Sequence, residues 1–75
     1  MDFELIIQEV RKERIRQLDK WGDQKHPLAI WLTILAEEFG EVAKAILEGN
    51  IAEVRTELIQ VIAVGFAFLE DDSWM

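Results

Sequence analysis

The segment that decides the fold is EEFGEVAKAILEGNIAEVRTELIQ, residues 37–60. Its centre, Gly49-Asn50, predicts the end of one helix and the start of another. Glycine readily takes the left-handed conformation that ends a helix, and asparagine caps the next one. Glu53 follows Asn50 by three residues, which resembles a capping box. Because helices joined by so short a turn pack antiparallel, we expect a helical hairpin.

Acidic side chains recur on both arms of this hairpin. Glu38 and Glu41 share one helix face, and Glu57 and Gln60 repeat the same spacing. Glu41 and Glu57 each lie about eight residues from Gly49, so they should lie at similar heights. Carboxylates beside an apolar core need a counter-charge, and an all-oxygen cluster suits Mg²⁺. The alternative is an acidic face that is simply solvated.

The rest of the chain adds one more helix, and nothing in the pattern predicts a strand. We expect helices over about 2–20, 28–48 and 51–70. In the first of these segments, apolar residues recur every three to five positions, which is typical of a helix with one apolar side. The predicted fold class is therefore all-α: a helical hairpin plus an N-terminal helix, forming one domain over 1–75. The polar tail 71–75 is expected to fray.

The length is small for the apolar content of the chain. It has 75 residues, of which 51% are hydrophobic, and a domain of this size buries only about 60% of its unfolded surface. The segment 61–69 has no polar side, so it needs partners all round. We expect a homo-oligomer, a dimer or a tetramer, that completes a helical bundle. Gly65 is expected to permit a close helix contact.

Charge and composition exclude several classes of protein. The net charge of −7 argues against binding a nucleic-acid polymer, since phosphate contacts need Lys and Arg. The apolar run is too short for a membrane span, so no membrane partner is expected. There is no cysteine, and Asp2 and Glu4 replace a basic leader, so a cytoplasmic location is expected.

The basic residues concentrate in the first third of the chain. Beside an acidic centre, a basic flank fits a phosphorylated small molecule held through a metal ion. The alternative is that the first helix balances its own acids through spaced ion pairs. The residues of this flank are Arg11, Lys12, Arg14, Arg16, Lys20 and Lys25.

Other familiar site chemistries do not fit the residues present. One histidine and no cysteine exclude a zinc site of the usual type within one chain. No glutamate is followed by a histidine at the spacing of a di-iron bundle. Ser73 is the single serine, and no glycine-rich phosphate loop occurs.

The segment between the first two helices carries a different set of groups. Trp21 lies among Lys20, Gln24, Lys25 and His26, a mixture of aromatic surface and polar donors that suits a nucleobase and its phosphates. The alternative is structural: a tryptophan at a core or interface, and a histidine that makes hydrogen bonds within the loop.

These motifs together resemble the MazG-like, all-α nucleoside triphosphate pyrophosphohydrolases. The family signature is similar to E-E-x-x-E, a spacer and E-x-x-D, and here it reads Glu37-Glu38-Phe39-Gly40-Glu41 and then Glu57-Leu58-Ile59-Gln60. The segment ERIRQLDKWGDQKH, residues 13–26, also resembles the N-terminal part of short members. The similarity covers about residues 13–70.

The resemblance implies cleavage between the α- and β-phosphates of a nucleoside triphosphate. It implies Mg²⁺, or Mn²⁺ in its place, at Glu38, Glu41 and Glu57. Glu37 would bind a second ion or orient the attacking water, so the implied catalytic group is Glu37, Glu38 and Glu41. Lys44 would meet a phosphate. Gln60 departs from the family's Asp, and as a neutral ligand it should weaken metal binding.

Gln60 also keeps a non-enzymatic alternative open. In that alternative the chain is an oligomeric helical module that binds a nucleotide or a partner protein without turnover. The sequence does not select the nucleobase.

Overall fold

A computed structural model describes residues 2–75 of the chain. It contains α1 (Phe3–Trp21), α2 (Leu28–Leu47) and α3 (Ile51–Glu70), and residues 2–75 form no strand. The all-α class is confirmed, and every helix end lies within one residue of its predicted position. None of these helices is long and apolar enough to cross a membrane.

Local sequence sets the helix ends as predicted. Asp2 caps α1, since its Oδ1 accepts from the Glu4 backbone N–H at 2.8 Å. Asn50 caps α3 in the same way, accepting from the Glu53 backbone N–H at 3.1 Å. Gly49 has φ of +71°, the left-handed conformation that side chains with a Cβ rarely adopt.

α3 is the central helix. α2 packs along it antiparallel: Trp31, near the start of α2, stacks on Phe68, near the end of α3, with ring centroids 5.3 Å apart. α1 packs against another side of α3, where Arg14 forms an ion pair with Glu70 at 2.8 Å. The backbones of α1 and α2 do not approach each other closely. A cleft therefore separates these two helices, with α3 as its floor.

The core is thin. Among residues 2–75, Trp31, at 1% exposure, is the one large apolar side chain that is almost fully enclosed. The accessible surface is 5448 Å², whereas a compact monomer of this mass should expose about 4,700 Å². The chain alone thus leaves apolar surface uncovered. Its buried hydrophobic residues are Val10, Trp31, Val42, Ala45, Ala63, Val64 and Ala67.

The uncovered surface includes a stripe of large apolar side chains on each hairpin arm. The members follow one another at helical spacing, and none of them lines the cleft. We call the two stripes together the back face: Leu28, Leu32, Phe39 and Ile46 of α2, with Leu58, Ile62 and Leu69 of α3.

Gly65 shares the α3 stripe with Ile62 and Leu69, at spacings of three and four. A Cβ built on Gly65 meets no atom within 4 Å. The expected close helix contact at this glycine is therefore not made within residues 2–75, and a contact there with another chain stays a prediction.

The C-terminal segment is docked, so the expectation of a fraying tail was wrong. Asp71 is 1% exposed. The Trp74 indole N–H donates to the Phe68 carbonyl at 3.0 Å, and the two rings meet edge to face at 5.2 Å. The tail therefore closes one end of the small aromatic core.

Candidate functional site

The cleft between α1 and α2 is the principal candidate site. It has a volume of about 230 Å³. α1 contributes most of the charged groups, α2 contributes an aromatic and an acidic side chain, and α3 contributes the floor. The lining residues are Glu13, Arg14, Arg16, Gln17, Trp21, Gln24, Trp31, Ile34, Glu38, Gln60, Val64 and Ala67.

The α1 wall is organised around Glu13. Its carboxylate accepts from Arg16 Nε at 2.8 Å and Nη2 at 2.7 Å, and from Gln17 Nε2 at 3.2 Å. The spacings of three and four place these partners on one side of the helix. The hydrogen bond with Glu13, followed by its charge, raises the pKa of Arg16. Arg16 is therefore paired with an acid of its own helix, as the alternative interpretation of the basic flank predicted.

Trp21 forms the aromatic edge of the cleft. It is the last residue of α1 and is 52% exposed. Lys20 Nζ lies 4.6 Å from the centroid of its ring, and the Arg16 guanidinium carbon lies 5.9 Å from it. An exposed indole flanked by two cations is a surface on which a flat, anionic molecule can rest.

The opposite side of the cleft is acidic. Glu38 of α2 and Gln60 of α3 both line it. Burial raises the pKa of the Glu38 carboxyl, the charges of Glu41, Glu13 and Glu37 raise it further, and Arg16 opposes them. Glu38 is thus the carboxylate of the hairpin that lines the cleft.

A second depression lies towards the turn of the hairpin. Glu41, Lys44 and Glu57 line it, in a volume of about 200 Å³. Burial raises the pKa of Glu57, followed by a hydrogen bond with Glu53 and the charges of Glu53, Glu38 and Glu41. Glu41 and Glu57 are therefore neighbours, as their equal distance from Gly49 predicts.

The predicted metal ligands are divided between these two sites. Glu38 and Gln60 line the cleft, whereas Glu41 and Glu57 line the depression. Among residues 2–75, no three acidic or histidine side chains converge closely enough to form a metal-binding group. The oxygen donors have the chemistry that a hard divalent ion requires, and Glu38, Glu41 and Glu57 lie within electrostatic reach of one another.

The remaining predicted residues are placed unevenly. Trp21 and Gln24 line the cleft, with Lys20 beside them. Lys44 lies in the acidic depression, and Glu37 is exposed. The proposed roles of these residues stay predictions.

His26 makes contacts within the fold. Its ring meets Trp31 edge to face at 4.9 Å, and its Nε2 lies 3.1 Å from Gln24 Oε1. These are the contacts of the structural alternative, a loop histidine held by its neighbours, and a role in substrate binding stays a prediction.

Asp71 is an organising residue that the sequence did not reveal. Its Oδ2 accepts from Trp31 Nε1 at 2.8 Å and from the His26 backbone N–H at 2.9 Å. Its Oδ1 accepts from the backbone N–H and the hydroxyl of Ser73. Burial acts to raise the pKa of Asp71, but these hydrogen bonds outweigh it and hold the pKa well below its usual range. Asp71 is therefore a buried, fully bonded carboxylate.

Two further lining residues, Glu13 and Gln17, were not singled out from the sequence. With Arg16 of the basic flank, they have the spacing of a side-chain cluster on one helix face. The pattern did not show which helix that face would meet, and so it did not place the cluster in a cleft.

Comparison with known proteins supplies no relative. No protein family, no curated protein and no solved structure matches the chain.

Proposed function

We propose that the chain is a Mg²⁺-dependent nucleoside triphosphate pyrophosphohydrolase of the MazG-like kind. The observation that carries the proposal is the composition of the cleft. A wall that carries the Glu13–Arg16 ion pair and the Trp21 ring lies opposite an acidic side that begins at Glu38. A nucleotide complexed with a divalent ion has the complementary chemistry: a flat base, a phosphate chain and a cation.

The substrate groups have natural positions in this arrangement. The base rests against Trp21, and Gln24 supplies donor and acceptor atoms at its edge. Arg16 binds a phosphate through the guanidinium donors that Glu13 does not occupy, since two of them already bond that carboxylate. Lys20 and Lys44 add positive charge on either side, and His26 supports Gln24 through its ring nitrogen.

The acidic residues would hold the metal. Glu38, Glu41 and Glu57 are the charged ligands and Gln60 is a neutral one. Bound there, Mg²⁺ or Mn²⁺ would screen the phosphate charges and stabilise the attacking and leaving oxygens. Glu37 orients a water for attack on the α-phosphorus. The bond from that phosphorus to the bridging oxygen breaks, which gives a nucleoside monophosphate and pyrophosphate.

Self-association is part of the proposal. A cleft of about 230 Å³ is smaller than the roughly 300–1,000 Å³ of ordinary ligand sites. The back face is an extended apolar surface, which in a small protein commonly marks an interface between chains. A dimer or tetramer would cover this face.

The back face can be tested directly. Leu69 is 74% exposed, so Leu69→Lys should leave the chain folded and shift it to monomer in sedimentation experiments. Leu5→Lys is the matched control, since Leu5 is 55% exposed on α1, away from the back face. A wild-type chain that is monomeric and stable at micromolar concentration would remove self-association from the proposal.

Activity is tested by pyrophosphate release from a panel of nucleoside triphosphates with Mg²⁺. Glu38→Gln and Glu41→Gln should each lower turnover at least about a hundredfold, since even residues behind metal ligands commonly contribute ten- to a hundredfold. Asp19→Asn removes an exposed α1 carboxylate outside both sites and should be silent. If no triphosphate yields pyrophosphate, the enzymatic proposal fails.

A second candidate is the non-catalytic module that binds a nucleotide or a partner protein. It is favoured by Gln60 and by the division of the acidic residues between cleft and depression. Calorimetry separates the two functions: a module binds nucleotide and releases no product. In the enzyme, Gln60→Asp should tighten Mg²⁺ binding, because it adds a negative charge to the ligand set.

A further inference from the structure

The C-terminal end of α3 reaches both sides of the cleft. Glu70, the last helical residue, accepts from Arg14 Nε at 3.2 Å and from Nη2 at 2.8 Å. Asp71, the next residue, accepts from Trp31 and from the loop between α1 and α2. Arg14 and Trp31 both line the cleft. Two consecutive acids thus hold one wall each.

The loop between α1 and α2 depends on Asp71. Among the hydrogen bonds of residues 2–75, the one from the His26 backbone N–H to Asp71 alone joins residues 23–26 to another part of the fold. The ion pair of Lys25 with Asp72 spans 3.8 Å between exposed side chains, and such pairs contribute little. The position of the loop is therefore set mainly by one buried carboxylate.

This loop carries part of the cleft. Gln24 lines it, and Gln24 Oε1 lies 3.1 Å from His26 Nε2. The His26 ring in turn lies edge-on against Trp31, at 4.9 Å. A continuous set of contacts therefore runs from Asp71 through His26 and Trp31 to Gln24.

We infer that Asp71, assisted by Glu70, is a positioning residue of the nucleotide cleft: it fixes the separation of the two walls and the direction of Gln24. The inference rests on the proposed function, since it assigns the affected ligand as the nucleobase. Asp71 does not line the cleft. Its effect should therefore fall on binding of the base, shared by ground and transition states, more than on the chemical step.

The test compares Asp71→Asn and Glu70→Gln with Asp72→Asn, which removes an exposed carboxylate from the same tail. We expect Asp71→Asn to raise KM for the triphosphate about tenfold, the effect of one lost hydrogen bond to a charged group. The change in kcat should stay within about twofold, and Mg²⁺ affinity should be unchanged. Asp72→Asn should match the wild type. The inference is overturned if the folded Asp71→Asn variant has the KM of the wild type. It is also overturned if the variant loses kcat only in proportion to the fraction of protein that is unfolded.

A second measurement does not depend on turnover. In nuclear magnetic resonance spectra of the full chain, Asp71→Asn should move the Trp31 indole N–H signal and the Gln24 side-chain amide signals, and should speed hydrogen exchange at His26. Ser73→Ala, which removes one bond to Asp71 Oδ1 and leaves the loop bonds in place, should change these signals less. If the wild type hydrolyses no triphosphate, the proposed function fails. The positioning role is then decided here, and unchanged Gln24 and His26 signals in Asp71→Asn overturn it.

Discussion

At the open end of the α2–α3 hairpin, Trp31 stacks on Phe68 and donates to Asp71, and Trp74 meets Phe68 edge to face. At the turn end, the facing side chains include Glu41 and Glu57, and the depression that they line also holds two further glutamates against a single lysine. The first region is packed and its polar groups are paired. The second is charged, and its backbone is held by a turn. Buried contacts are therefore concentrated at the open end and unbalanced charge at the turn end, so we expect the open end to contribute most of the stability.

The largest expected effect is at the open end. Trp31→Ala should lower the free energy of unfolding by about 3–5 kcal/mol, the usual cost of deleting a large buried aromatic side chain. Trp21→Ala is the matched control, because Trp21 is 52% exposed, and it should change stability by no more than about 0.5 kcal/mol. Urea unfolding followed by circular dichroism measures both. If the two variants lost similar amounts of free energy of unfolding, the open end would not be the more stabilising region.

An intermediate effect is expected at the turn. Gly49→Ala places a Cβ on a residue with φ of +71°, which should cost about 1–2 kcal/mol. Gly40→Ala is the control: Gly40 is helical, and a Cβ there meets nothing within 4 Å, so it should stabilise by up to about 1 kcal/mol. Thermal unfolding compares the two variants. If Gly49→Ala lowered the free energy of unfolding as much as Trp31→Ala does, the turn end would contribute as much stability as the open end.

The smallest expected effect concerns charge at the turn end. The raised pKa of Glu57 means that its protonated form is favoured by folding. Its contribution is therefore fully present below the unfolded pKa of about 4.3 and is lost as pH rises through the raised folded pKa. At pH 7, Glu57→Gln should stabilise by less than about 1 kcal/mol, because surface charges are screened. The gain should vanish below about pH 4.

Thermal unfolding between pH 3 and 7 checks this sign. Asp71 supplies the opposite case. Its pKa is lowered, so its stabilisation is fully present above the unfolded pKa of about 3.9 and declines as pH falls from there towards the lower folded pKa. Asp71→Asn should therefore weaken the protein most at neutral pH and less at the acid end of this range. A Glu57→Gln variant that is destabilised at pH 7 would show that the turn end is held by an ion pair.

The sequence predicted those features that depend on neighbouring residues. The helix ends followed from Asp2, Gly49 and Asn50, which act within one turn of their own position. The pairing of Glu41 with Glu57 followed from their equal distance to Gly49, since a short turn leaves little freedom of register. This local information was sufficient for the hairpin.

The missed features depend on residues far apart in the chain. Asp71 bonds to groups 40 and 45 positions earlier, and nothing in the polar tail distinguishes it from Asp72. Likewise, the apolar side of α1 showed that the helix packs, but did not show that its partner is α3 and not α2. The cleft exists because of that choice, so its α1 wall could not be assembled from the pattern alone.

The central position of α3 has a consequence for synthesis. α1 is made first, yet the helix against which it packs is completed only when Glu70 has been added. At about 5–20 residues per second, translation from Trp21 to Glu70 takes roughly 2–10 seconds. During that interval the apolar side of α1 lacks the helix that covers it in the finished fold. α1 therefore reaches its packed state only after the whole of α3 has been made.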